Sequence, residues 1–166
     1  MNRTRGFTLV EIMIVVAIIA LLAAIAIPNV LRGRTTANES AAIGNLRALV
    51  SSVEMFRSVN NTYPTTANWV ADMYTTPDPD FGPPSFNHIM DGTDCPPGPA
   101  SSCTQGYRYT YTSAAGATYS VNANPAVLNN TGTRSFFVDE SGLIRHCTGT
   151  GADANDRTID AAPVAC

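Results

Sequence analysis

The chain has 166 residues and a mass of 17.6 kDa, which suits one modest domain plus an appendage. Its formal net charge is −3 and its pI is near 5.2, so no basic excess points to nucleic acid. All ten basic residues are Arg, a bias for which the sequence offers no physical reason.

Phe7 to Ile27 is one apolar run of 21 residues with a single charge, Glu11. As a helix at about 1.5 Å per residue it measures about 31 Å, the thickness of a bilayer's hydrocarbon core. Arg3 and Arg5 precede it, and Arg32 and Arg34 follow. Flanking positive charge is therefore nearly balanced, and the free amine tips the start of the chain toward the cytoplasm. Three processing routes compete. An ordinary secretory signal would be cut after Ala23-Ala24-Ile25-Ala26. An uncut single-pass anchor would keep the whole run. Both leave Glu11 as an unpaired charge in lipid, which is costly. A cut between Gly6 and Phe7 gives the carboxylate a partner. The new Phe7 amine lies one helical turn away, and in a bundle of such helices Glu11 can meet the Phe7 amine of a neighbour. Buried pairs of this kind fix register better than they add stability.

The stretch Gly6-Phe7-Thr8-Leu9-Val10-Glu11, followed by the apolar run, resembles the N-terminal signal of type IV pilins and type II secretion pseudopilins. The likeness is dense across Arg5–Asn29 and looser to about Pro64. It implies that a prepilin peptidase cuts after Gly6 and methylates Phe7, and that Glu11 is the assembly residue. Pro28 matches a proline that the family keeps just past the membrane span.

Pro28 also predicts a kink or a local melting of the helix, since it cannot donate to the ladder. Helical character resumes beyond it. Ala42, Leu46, Leu49, Val53 and Phe56 step by four and three, an amphipathic stripe widened by Ile43 and Val50. Asn60-Asn61-Thr62 and Pro64 end the helix. From Phe7 to about Val59 it would be about 80 Å long. Residues 65–102 are rich in Pro, Gly and Asp, a loop region with a short helix near Ala67–Tyr74.

The period then changes to two. Tyr107–Thr112, Thr118–Asn122, Ser135–Asp139 and Leu143–Cys147 read as strands, with turns at Ala114-Ala115-Gly116 and Glu140-Ser141-Gly142. The expected fold is α+β: a long N-terminal helix packed on a small antiparallel sheet of three or four strands, which the resemblance also implies. Residues 1–6 form a leader, 7–27 a membrane or filament-core helix, 28–62 its amphipathic continuation, and 63–166 a globular head.

Cys95, Cys103, Cys147 and Cys166 contain no C-x-x-C pair, which argues against zinc or a thioredoxin-like motif. With an export signal they read as two disulfides, of three connectivities. Proximity favours Cys95–Cys103 and Cys147–Cys166. Catalytic motifs are lacking. His88 matches no metal spacing, and His146 reads as a solvent histidine beside a paired Cys. Trp69 and the Tyr107–Tyr111 row read as core or sheet face. Some relatives bind calcium in a C-terminal loop, and here Asp153, Asn155, Asp156 and Asp160 would be the ligands. The spacing lacks the Gly of an EF-hand loop, and a solvated loop is the plainer reading. No other cofactor is expected. Some pilin-like proteins take up DNA, but scattered Arg on an acidic chain makes no phosphate-tracking stripe.

The resemblance thus implies a structural subunit and not an enzyme. It would be held in the bacterial inner membrane and cut by prepilin peptidase. An inner-membrane assembly platform would then draw it into a helical homo-oligomeric filament that spans the periplasm or reaches the cell surface, serving motility, adhesion or uptake. The major pseudopilin of a type II secretion system fits the same signal, and Tyr63-Pro64-Thr65 resembles that protein. The four Cys and the Pro-rich loop favour a pilin. A rival of another class is a secreted binding protein or enzyme with an ordinary signal peptide.

Overall fold

A computed structural model describes residues 7–75, 80–83, 86 and 104–166. One α-helix, α1, runs Leu9–Asn60. It starts in a run of Leu, Ile, Val and Ala. It ends where Asn61 takes a left-handed backbone (φ 54°) and its N–H closes on Arg57 O at 2.8 Å. Pro28 lies inside α1 without ending it, so the expected local melting does not occur. Proline removes one N–H from the ladder, while the neighbouring bonds remain available. The chain divides within this helix into two compact units, Met1–Arg34 and Thr35–Cys166.

Among its described residues the first unit has no core of its own. From Phe7 to Leu31 the described apolar side chains stand largely exposed. The second unit, by contrast, is built around a core. Its six strands are β1 (Tyr107–Ala114), β2 (Thr118–Pro125), β3 (Arg134–Asp139), β4 (Arg145–Thr148), β5 (Arg157–Thr158) and β6 (Val164–Ala165). The order is β1-β2-β3-β4-β5, antiparallel throughout, with β6 pairing parallel to β4. Among the described residues there are thus six strands where three or four are expected. Strands of two residues carry no readable alternation, and both lie in the tail that folds back along β4.

Alternation of burial along β2 places Tyr119, Val121, Ala123 and Pro125 on one face. Tyr107, Tyr109 and Tyr111 of β1 and Phe136 and Val138 of β3 join that face. Ala42, Leu46, Leu49, Val53 and Phe56 of α1 are buried in the same cluster, and Ile43 and Val50 flank it half-buried. The 4-3-4-3 stripe is thus the helix's core side. The tyrosine hydroxyls find partners at the rim: Tyr111 donates to Pro64 O at 2.9 Å and Tyr107 to Arg134 O at 2.7 Å. After α1, a short π-helical turn at Ala71–Thr75 lies where a short helix was expected, and it seats Met73. Trp69 packs on Tyr111 at 4.5 Å between ring centroids, and Phe86 on Tyr109 at 5.1 Å.

Candidate assembly site at the helix start

Thr8 is the last residue before α1, and Glu11 is the third residue within it. Glu11 N donates to Thr8 Oγ1 at 3.2 Å, and Thr8 N donates back to Glu11 Oε2 at 2.8 Å. The Thr8 hydroxyl donates to the same Oε2 at 2.8 Å. This is a reciprocal capping box, in which each side chain satisfies a backbone N–H that the helix leaves without a partner. The negative charge also lies at the positive end of the helix dipole. Glu11 therefore has a partner inside its own chain. The sequence carried the signal for this, Thr8-x-x-Glu11, and reading Glu11 only against a neighbour's amine passed over Thr8. Both bonds fall on Oε2, and among the described residues Oε1 has no donor. Phe7 is 85 % exposed immediately before the box. Gly6 lies outside the described residues.

A second polar cluster joins α1 to the sheet. Glu39 is buried, and its Oε1 accepts from Thr133 N at 2.8 Å and Thr133 Oγ1 at 2.7 Å. Its Oε2 accepts from Arg134 Nε at 2.9 Å and Nη2 at 2.8 Å. Burial pushes the Glu39 carboxyl up, but the Thr133 bonds and the Arg134 guanidinium outweigh it and hold the group below its ordinary value. Arg134 Nη1 lies 3.3 Å from His146 Nδ1, and His146 Nε2 lies 3.0 Å from Ala161 O. His146 is 1 % exposed, which corrects the expectation of a solvent histidine. It shares a face with its cross-strand partner Phe136, and Ala161 O of the tail reaches its ring. Of this cluster only His146 was singled out from the sequence, and there as a solvent-facing residue; Glu39, Thr133 and Arg134 were not.

Cys147 and Cys166 are joined in a disulfide. Cys95, Cys103 and His88 lie outside the described residues. In the C-terminal loop, Asp156 Oδ2 accepts from Asp153 N at 2.8 Å and Asp153 Oδ1 from Asn155 N at 2.7 Å. These side chains close the loop's own turns, and Asp160 is exposed beside them. Among the described residues no three His, Cys, Asp or Glu side chains converge on a metal-sized site.

The arrangement defines a pilin-like class of protein: one helix, apolar enough at its start to cross a membrane, continuing into an α+β head. Comparison with known proteins narrows this. Residues 1–27 match the family described as the prokaryotic N-terminal methylation motif. The chain is 50 % identical over 66 residues to the type IV major pilin protein PilA of Myxococcus xanthus, covering 40 % of this chain and 30 % of that one. It is 45 % identical over 71 residues to the type IV wide pilus major component PilA4 of Thermus thermophilus, covering 43 % and 53 %. To the type II secretion system core protein G of Pectobacterium carotovorum it is 34 % identical over 90 residues, covering 54 % and 56 %. The chain thus spans about half the length, or less, of these curated relatives. No solved structure matches it.

Proposed function

We propose that this chain is a structural subunit of a type IV pilus filament, anchored in the inner membrane and processed at Gly6–Phe7. The observation that carries the reading is the helix start. A methylation-motif match and a Glu11 carboxylate with one oxygen unspent both stand at the head of an exposed apolar run. A helix that leaves lipid needs other apolar surface to cover it. A bundle of identical helices provides that at about 25 cal/mol per Å². Within the bundle, Glu11 Oε1 receives the Phe7 amine of a neighbour while Oε2 stays on Thr8. The carboxylate then sets the axial offset between subunits, and the capping box holds its rotamer ready. No step in this role calls for a cofactor or for catalysis by the chain.

The reading as major pseudopilin of a type II secretion system has one observation in its favour. The match to core protein G runs further along the chain than the pilin matches, although at lower identity. Deleting the gene separates the two: loss of surface fibres marks a pilin, and loss of protein export with fibres intact marks a pseudopilin.

Mass spectrometry of the mature chain should find N-methyl-Phe7 as its first residue. Glu11→Ala should reach the membrane with a folded head and yet form no filaments. A mature chain beginning at Ile27 would replace the filament reading with that of an ordinary secreted protein.

A further inference from the structure

The tail that follows β5 is seated on one strand. Val164 and Ala165 pair with Cys147 and Thr148 of β4, and Cys166 N donates to Thr148 O at 3.2 Å. Ala161 O faces His146 Nε2 at 3.0 Å, and Cys166 is bonded to Cys147. Apart from a turn between Ala161 N and Thr158 O, these described contacts of residues 161–166 all go to β4. The tail's side chains contribute little to holding it. Ala162 through Cys166 are exposed, and none of them belongs to the core cluster. A two-residue parallel pairing is marginal alone. The covalent bridge is therefore the main lock.

Each chain accordingly carries both this segment and its seat, and the seat lies within four consecutive residues, Arg145–Thr148. We propose that the tail is exchangeable between copies: once the Cys147–Cys166 bond is opened, residues 161–166 of one chain dock on β4 of a second copy and the same bond re-forms between the two. Residues 159 and 160 join β5 to the tail, and Thr158 to Ala161 spans at most about 10 Å, which sets how near the second β4 must stand. Exchange of an identical element keeps the pairings on β4 and changes only which chain supplies them, while the Ala161 N–Thr158 O turn opens as the hinge. The opening step is thiol–disulfide exchange with a dithiol reductant. The reductant gives two electrons and two protons to the pair and leaves as its own disulfide. Closure returns two electrons and two protons to a disulfide oxidant, which leaves as two thiols. The proposal concerns the head alone and stands independently of the filament reading.

The test uses the full chain in detergent micelles, as a mixture of ordinary and ¹⁵N-labelled protein. The mixture is reduced with dithiothreitol, checked by hydrogen exchange, and reoxidised with oxidised glutathione. Reduction should strip amide protection from the tail and from the β4 amides that face it, while β1–β3 and the β3–β4 pairing keep theirs. Reoxidation should yield Cys147–Cys166 peptides with one light and one heavy strand, in a fraction that rises with protein concentration. Same-isotope peptides alone at every concentration would overturn exchange. Loss of protection throughout the sheet on reduction would also overturn it, because the bond would then hold the whole head and not the tail.

Discussion

Glu39 and Arg134 are separated by 95 positions, and their carboxylate–guanidinium contact is 2.8 Å. Each Glu39 oxygen accepts two hydrogen bonds, so removing the carboxylate leaves the Arg134 guanidinium, Thr133 N–H and Thr133 hydroxyl without their acceptor. Breaking a fully buried pair from one side costs about 3–5 kcal/mol; the Arg134 side chain is 29 % exposed, so Glu39→Ala should lower unfolding stability by about 2–3 kcal/mol in a denaturant titration. The same group fixes a direction for pH. Its folded carboxyl is held below the ordinary value, so the unfolded chain takes up the proton first as pH falls. The stabilisation is full above the unfolded carboxylate range and fades as pH drops through it toward the lower folded value. Melting temperatures of wild type and Glu39→Gln should therefore differ at pH 7 and converge at acid pH. A constant gap across that range would mean that Glu39 acts through packing and not through its charge.

Among the elements, the α1 end and the β1–β2 hairpin meet in a close joint. Gly116 O accepts from Tyr63 N at 2.9 Å and from Thr62 Oγ1 at 3.1 Å. Gly116 has φ +74°, and a Cβ there would lie 2.2 Å from Thr62 Oγ1 and 3.1 Å from Tyr63 O. A left-handed non-glycine residue costs about 1–2 kcal/mol, so Gly116→Ala should destabilise the head by about 2 kcal/mol once the Thr62 contact is also displaced. Thermal melting checks this, and an unchanged midpoint would refute the close approach. The turn itself was legible, as Ala114-Ala115-Gly116 between two alternating runs. So were the 4-3-4-3 stripe of α1 and the first four strands, because burial period follows from local geometry. Contacts across the fold carry no local signal: Glu39 with Thr133 and Arg134, His146 with Ala161, β6 on β4. Thr8–Glu11 is a different case. Its spacing is local and readable, but a carboxylate in an apolar run reads more readily as a device for another subunit than as a helix cap.

On the scale of the whole molecule, the division of labour follows from where burial occurs. Every residue named in the hydrophobic core lies between Ala42 and Ile159, and the buried polar groups lie between Glu39 and His146. Among the described residues none lies before Thr35, and the apolar side chains there stand largely exposed. The described core of the head and the exposed apolar run are thus encoded in separate stretches of the chain. A chain beginning at Thr35 keeps Glu39 and the whole buried stripe of α1, along with all six strands. It should stay soluble without detergent, sediment as a monomer, and melt within about 3 °C of the full chain, since a domain of this size shifts by several degrees per kcal/mol lost. Its hydrogen-exchange protection in β1–β3 should match that of the full chain. A large fall in melting temperature would mean that residues before Thr35 brace the head, and association at micromolar concentration would place a subunit contact on the head itself. A monomeric, fully protected head would leave the Phe7–Ile27 run as the segment through which copies assemble.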